Sequence, residues 1–192
     1  MKQEIEIEFK NIVTKEEFER LCTVYSIKHF TTQVNHYFET PSFSLKEAGS
    51  ALRIRFKNDT YTLTLKQPAT TGLLETHQSL TKQEAEGMLE HGEIIDGAVK
   101  ERLTALQIPT SELQYYGSLT TDRAEISYEN GLLVFDHSFY FNEDDYELEY
   151  EVTDEITGQQ SFHSLLKQHS ILLRPTKNKV QRFFLAKQKK QH

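Results

Sequence analysis

The sequence predicts an α+β protein, a mostly antiparallel sheet of about eight or nine strands, curled or closed on itself, under a few helices. Three observations carry this. EIEIEFK (4–10) alternates apolar and charged residues at every position, as a strand does when successive side chains point to opposite faces. Strand-like runs flank short turn signals at Asn58-Asp59 and Asn130-Gly131, which implies hairpins and therefore antiparallel pairing. Two stretches, Thr14-Lys-Glu-Glu17 and Thr81-Lys-Gln-Glu84, read as capping boxes that open helices.

In order along the chain, strands are expected at 3–10, 34–39, 50–57, 60–67, 73–80, 117–128, 132–141 and 145–153, with a further candidate at 180–186. The helix opened by Thr14 carries Phe18, Leu21, Cys22 and Tyr25 at i, i+3, i+4 and i+7, one apolar stripe. Cys22 lies on that stripe and is read as packing. The helix opened by Thr81 buries Ala85, Met88 and Leu89. Others are expected around 97–107 (Val99, Leu103, Leu106) and 159–169 (Phe162, Leu165, Leu166).

A chain of 192 residues with no repeat or linker is read as one domain, 1–192, large enough to bury a core without staples. A hydrophobic share of 37% with 11% aromatic residues excludes disorder. No apolar run approaches the ~20 residues of a membrane helix, and no signal-peptide pattern opens the chain. One cysteine suits a reducing compartment, so the expected location is cytoplasmic. A net charge of −7 argues against general nucleic-acid binding, and the terminal KQKK is read as a solvated tail.

The charged positions are not scattered. Glu4, Glu6, Glu8 and Lys10 share one strand face, as do Glu147, Glu149 and Glu151 in YELEYEV (146–152). In ALRIRFK (51–57) the shared face carries Arg53, Arg55 and Lys57; Lys66 ends the Thr62–Thr64 face of its strand. Glu75 shares a face with His77, and Arg123 with Glu125, while Asp136 interrupts an apolar run. A solvated sheet face produces polar alternation too, but it usually mixes charge signs along a strand. Here acids concentrate on two strands and bases on another. Like charges placed opposite each other destabilise a pair, so the acidic rows call for cations and the basic row for anions.

If the sheet closes with these rows inward, the apolar rows face outward for the helices to cover. Charges in such an interior persist only wet, paired or liganded. Paired carboxylates select Mg²⁺, Mn²⁺ or Ca²⁺ over zinc. Guanidinium forks match phosphate oxygens. The combination is a polyphosphate site. Other chemistries fit worse: HExxH, GxxxxGK[ST], GxGxxG and GxSxG motifs are all missing, and His36, His77 and His137 are read as packing or surface.

Glu6-x-Glu8-x-Lys10 resembles the ExExK signature of the CYTH domain, the triphosphate tunnel metalloenzyme superfamily of adenylate cyclases, thiamine triphosphatases and inorganic and RNA triphosphatases. The resemblance continues through 36–68 (with LRIR and TLK), DRAEI (122–126), VFDHSFYF (134–141), YELEYEV and NKVQRFF (178–184), most like the small Gram-positive bacterial members. It implies a closed antiparallel eight-stranded β-barrel, a triphosphate tunnel, with covering α-helices. It further implies that Glu6, Glu8, Glu149 and Glu151 bind Mg²⁺ or Mn²⁺. Lys10, Arg53, Arg55, Lys66, Arg123 and Lys179 would contact the triphosphate, with Arg182 a weaker carry-over. Glu75 and Asp136 would be supporting acids, at a second metal or holding a base, and with Lys10 they form the expected catalytic set. Glu4 and Glu147 are alternatives in the acidic register, and Lys177 competes with Lys179.

The function so implied is metal-dependent hydrolysis of inorganic triphosphate or an organic triphosphate such as thiamine triphosphate. The alternatives are an adenylate cyclase and a non-catalytic polyphosphate- or nucleotide-binding module. The expected partner is a triphosphate-containing small molecule, with a homodimer left open and no nucleic acid or membrane.

Overall fold

The structure, a computed structural model, describes residues 2–190. Among these, eight strands run β1 Lys2–Val13, β2 Thr31–Glu39, β3 Ala51–Lys57, β4 Thr60–Pro68, β5 Leu73–Leu80, β6 Gln114–Tyr128, β7 Gly131–Tyr140 and β8 Glu143–Val152. Six helices join them: α1 Lys15–Val24, α2 Ser44–Glu47, α3 Lys82–His91, α4 Ala98–Ala105, α5 Glu155–Gln168 and α6 Lys179–Lys190. A 3₁₀ turn occupies Thr110–Glu112. The strands close into an antiparallel barrel in the order β1-β5-β4-β3-β2-β6-β7-β8. Among the described residues, no helix is long and apolar enough to cross a membrane.

Contacts divide the chain into two compact units, the first holding the start of β1 with Gln33–Leu119, the second Glu6–Thr32 with the chain from Thr120 onward. In the first unit, Leu52 and Ile54 of β3 and Leu63 and Leu65 of β4 form one buried cluster with Ala85 and Met88 of α3 and Val99 and Leu103 of α4. In the second, Leu133 and Phe135 of β7 and Leu148 and Tyr150 of β8 pack against Phe18 and Leu21 of α1 and Phe162, Leu165 and Leu166 of α5. In both units the apolar rows face helices, so the alternate rows, with the charges, occupy the other face of each sheet.

Both capping boxes form: Thr14 and Glu17 bond each other's backbone amides, as do Thr81 and Glu84. The β3–β4 turn places Asn58 and Asp59 at φ of 50° and 57°, as a two-residue primed turn requires. The β6–β7 hairpin differs from expectation. Its closing pair is Tyr128↔Gly131, so Glu129 and Asn130 make the turn and Gly131 belongs to β7. Gly131 is needed for close approach instead, because a Cβ there would lie 2.5 Å from the Glu151 carbonyl oxygen.

Two element assignments are corrected. Residues 180–186, the candidate ninth strand, belong to helix α6, where Phe183 and Ala186 are buried three apart and the Asn178 side chain accepts from the Gln181 amide at 2.9 Å. Helix α5 begins at Glu155, four residues before the expected start, because Asp154 caps it by accepting from the Thr157 amide.

Candidate functional site

In the first unit, strand register builds a basic patch. Arg53 of β3 stands opposite Thr64 of β4, which stands opposite His77 of β5; Arg55, Thr62 and Ser79 form the next row, and Lys66 faces Glu75. A cavity of about 440 Å³ opens here, lined by Lys2, Glu4, Arg53, Arg55, His77 and three hydroxyl side chains. The Arg55 Nε donates to Asn35 Oδ1 of β2 at 2.9 Å. His77 shares a hydrogen bond with Thr64 through Nδ1 at 3.0 Å, while its Nε2 lies 3.0 Å from Glu4 and 3.1 Å from Glu75. Glu75 also pairs with Lys66. Burial pushes the Glu75 carboxyl up, yet the His77 hydrogen bond and the charges of Lys66 and Arg53 prevail and hold it well below the usual carboxylate range. With Lys2, Arg53, Arg55 and Lys66 against Glu4 and Glu75, this patch carries an excess of positive charge.

In the second unit the balance reverses. Glu8 stands directly opposite Glu151 and Lys10 opposite Glu149 across β1 and β8. Asp136 of β7 lies between Glu147 of β8 and Arg123 of β6. Arg123 donates to Asp136 through two nitrogens, at 2.7 and 2.6 Å, and to Glu149 at 2.6 Å. Lys179, from the first turn of α6, pairs with Asp136 and lies 3.1 Å from both Glu147 and Glu149. Arg182 donates to Asp145, Glu147 and the Lys177 carbonyl. Lys10 pairs with Glu8. Seven carboxylates (Glu6, Glu8, Asp136, Asp145, Glu147, Glu149, Glu151) thus interact with four cations.

The titration behaviour follows from this imbalance. Burial, with Glu6, Glu149 and Glu8 nearby, pushes the Glu151 carboxyl up to about 7 despite Arg123. Glu149 is more deeply buried than Glu151, yet Lys179 and Arg123 hold it well below the usual range. Burial opposes the Lys10 ammonium, and Glu8, Glu149 and Glu147 more than compensate, so Lys10 keeps its proton.

Two groups of possible metal ligands converge among the described residues, Glu4–Glu75–His77 and Asp136–Glu147–Glu149. The second already surrounds the Lys179 ammonium. By contrast, Glu6 and Glu8 each push the Glu151 carboxyl up, and an all-oxygen carboxylate set of this kind fits a hard divalent cation.

Of the residues singled out from sequence, Arg53, Arg55, Lys66 and Glu75 lie together in the first unit. Glu6, Glu8, Lys10, Arg123, Asp136, Glu149, Glu151, Lys179 and Arg182 belong to the second. Lys177 is exposed, and Lys179 reaches the carboxylates. Glu4 is half exposed and pairs with Lys2 and His77. Sequence reasoning missed Asn35, Tyr140 and Asp145 and read His77 as packing or surface. Asp145 extends the 147-149-151 alternation by one step, a signal that was present.

A closed barrel with helices over its apolar face and segregated acids and bases on the other defines a known class. The chain belongs to the CYTH domain family, whose profile matches residues 4–184. It is 52% identical over 191 residues to YjbK of Bacillus subtilis strain 168, named as a candidate triphosphatase, across 98% of this chain and 99% of that one. The crystal structure of a candidate adenylate cyclase from Bacillus halodurans matches with a TM-score of 0.93 at 51% identity, covering 96% of this chain and all of the other. A candidate adenylyl cyclase from Hippeastrum, described as having a dominant triphosphatase activity, has the same fold at a TM-score of 0.79 and 23% identity, covering 95% and 96% of the two chains.

Proposed function

We propose that this protein is a divalent-metal-dependent triphosphatase that hydrolyses inorganic triphosphate or an organic triphosphate such as thiamine triphosphate in the cytoplasm. The observation that carries the reading is the division of charge: a net basic patch suited to an anion and a net acidic cluster suited to a cation, within one family fold. Glu6, Glu8, Glu149 and Glu151 would hold Mg²⁺ or Mn²⁺. When bound, the ion supplies Lewis-acid neutralisation of phosphoryl oxygens.

Arg53, Arg55 and Lys66, together with Lys10, Arg123 and Lys179, bind and orient the phosphate chain. Phosphoryl transfer asks mainly for such positioning and charge stabilisation, without a covalent nucleophile. Lys10 serves as a fixed charge rather than a base, because its carboxylate neighbours keep it protonated. Glu75 and Asp136 act by holding bases: Glu75 holds Lys66 and His77, and Asp136 holds Arg123 and Lys179.

A second reading, adenylate cyclase, is favoured by the name of the Bacillus halodurans relative. It ranks lower because the described residues lining the cavity beside Arg53 and Arg55 include no Phe, Tyr or Trp on which adenine would stack. Incubating purified protein with inorganic triphosphate, thiamine triphosphate or ATP, with Mg²⁺ or Mn²⁺ and then with chelator, separates the readings. Orthophosphate release lost on chelation is expected. Cyclic AMP with pyrophosphate from ATP would make the protein a cyclase, and tight binding without turnover would make it a binding module.

A further inference from the structure

Arg182 is the one cation of the acidic cluster to which the proposed hydrolysis assigns no task. Its Nε and Nη2 donate to the two Asp145 carboxylate oxygens at 2.8 and 3.2 Å, and its Nη1 donates to Glu147 and to the Lys177 carbonyl, both at 2.6 Å. A guanidinium has five N–H donors, so these bonds leave one over. Asp145 is in turn braced by the Tyr140 hydroxyl, which donates to it at 2.5 Å. Glu147 is completely buried, so drawing Arg182 away to a phosphate would remove one of the two cations that face its carboxylate, a costly exchange.

The same helix carries Lys179 one turn earlier, at the i, i+3 spacing that puts two side chains on one face. Lys179 and Arg182 meet at Glu147, approached by one from each side of its carboxylate. The stack of Phe183 on Phe141, with centroids 5.2 Å apart, is a further attachment of α6. The fastening of Arg182, one turn on, thus helps to set the place of Lys179 among Asp136 and Glu149.

We infer that Tyr140, Asp145 and Arg182 form a positioning clamp that seats Lys179 where charge develops on the phosphate chain during transfer, and that Arg182 does not itself touch the substrate. This rests on the triphosphatase reading. The geometry of a cation set at one end of a clamp is sensitive to slack at the other: a displacement of about 1 Å far from the chemistry can cost roughly 100-fold in rate.

The test compares Asp145→Asn, Arg182→Gln, the double variant and the milder Tyr140→Phe with the wild type. It measures kcat and KM for inorganic triphosphate with Mg²⁺, metal-free triphosphate affinity by calorimetry, and Tm. A clamp predicts that Asp145→Asn and Arg182→Gln each lower kcat by roughly 10-fold or more, with triphosphate affinity changed less than about 3-fold, and that the double variant is no worse than either single one. Tyr140→Phe, which removes only the bracing hydroxyl, should show the same pattern at about 2- to 3-fold.

If Arg182 were a phosphate ligand, Arg182→Gln would weaken triphosphate affinity 10-fold or more, while Asp145→Asn, by removing a competing negative charge, would leave it unchanged or improve it. That opposite sign overturns the inference. So does a lowered Tm with undiminished kcat below the transition, which makes the cluster merely structural. A wild type that turns over no triphosphate overturns the proposed function and this inference with it. An active wild type with unaffected variants overturns the clamp alone.

Discussion

Glu8 and Glu151 face each other directly across the β1–β8 ladder, two carboxylates where a sheet ordinarily sets opposite charges. Burial and the neighbouring Glu6, Glu149 and Glu8 raise Glu151 from the ordinary 4.5 to about 7. Between those values the folded state holds more protons at this site than the unfolded chain does. The contribution is therefore intact at acid pH and lost as pH rises from about 4.5 to about 7. Its size is on the order of 2 kcal/mol once partial exposure is allowed for. Burial lowers His36 and His169, which act in the opposite sense over part of this window. The measurement is accordingly a difference: urea denaturation of wild type and Glu151→Gln at pH 5 and pH 8 without divalent ions. Glu151→Gln should gain relative stability at pH 8, and Mg²⁺ should erase the gap by stabilising only the wild type. A gap independent of pH would show that Glu151 does not sit in a repulsive set.

The same repulsion predicts the behaviour of Glu6. Glu6→Gln keeps the shape of the side chain and removes one charge from a surplus of acids. Turnover of inorganic triphosphate should fall by roughly 100-fold or more, as when a group that stabilises transition-state charge is lost. Mg²⁺ affinity by calorimetry should weaken as well, while Tm holds or rises. Loss of folding instead would make the acidic row structural.

Arg123 and Arg53 should separate stability from binding. Arg123 is buried against Asp136 and Glu149, so Arg123→Ala leaves two buried carboxylates short of a partner and should cost about 3–5 kcal/mol. Arg53 lines the open cavity, so Arg53→Ala should change stability by about 1 kcal/mol or less and appear instead as a KM raised at least several-fold. Chemical denaturation and steady-state kinetics on both variants check the contrast. Equal stability losses would contradict it.

The rows and turns were legible because they are written in local periodicity. Strand-like runs, turn signals and alternation located all eight barrel strands, and two four-residue cap patterns located α1 and α3. What sequence reasoning missed depends on distant partners. VQRFFLA contains a compact aromatic run that suits a strand, and it becomes a helix where Phe183 stacks on Phe141 and Lys179 and Arg182 reach β7 and β8. The short α2 follows Phe43 at a φ of 59° and is fastened by the buried Glu39, which accepts from the Leu45 and Lys46 amides. A Cβ on Gly158, inside α5, would lie 2.5 Å from the Val152 side chain, so its absence lets α5 pack against β8. At the site, residue types were legible but not which acids were already neutralised: Asp136, Glu147 and Glu149 surround Lys179, whereas Glu151 stays among like charges.

Asn35 gives a test of positioning in the basic patch. It stands opposite Arg55 across β2 and β3, is almost completely buried, and accepts from the guanidinium Nε at 2.9 Å. An Nε fixed in this way sets the plane of the fork, so the Nη edge meets an anion without first losing rotational freedom. Asn35→Ala should raise KM for inorganic triphosphate by roughly 3- to 10-fold, with kcat within about 2-fold and about 1 kcal/mol of stability lost. Asn35→Asp keeps the acceptor but adds a negative charge to a row that binds anions. Its KM should rise further than that of Asn35→Ala, and the excess should shrink at high salt, where screening weakens the added repulsion. Should both variants keep the wild-type KM while Arg55→Ala raises it, Arg55 would be held in place by its other contacts, and Asn35 would have no part in orienting it.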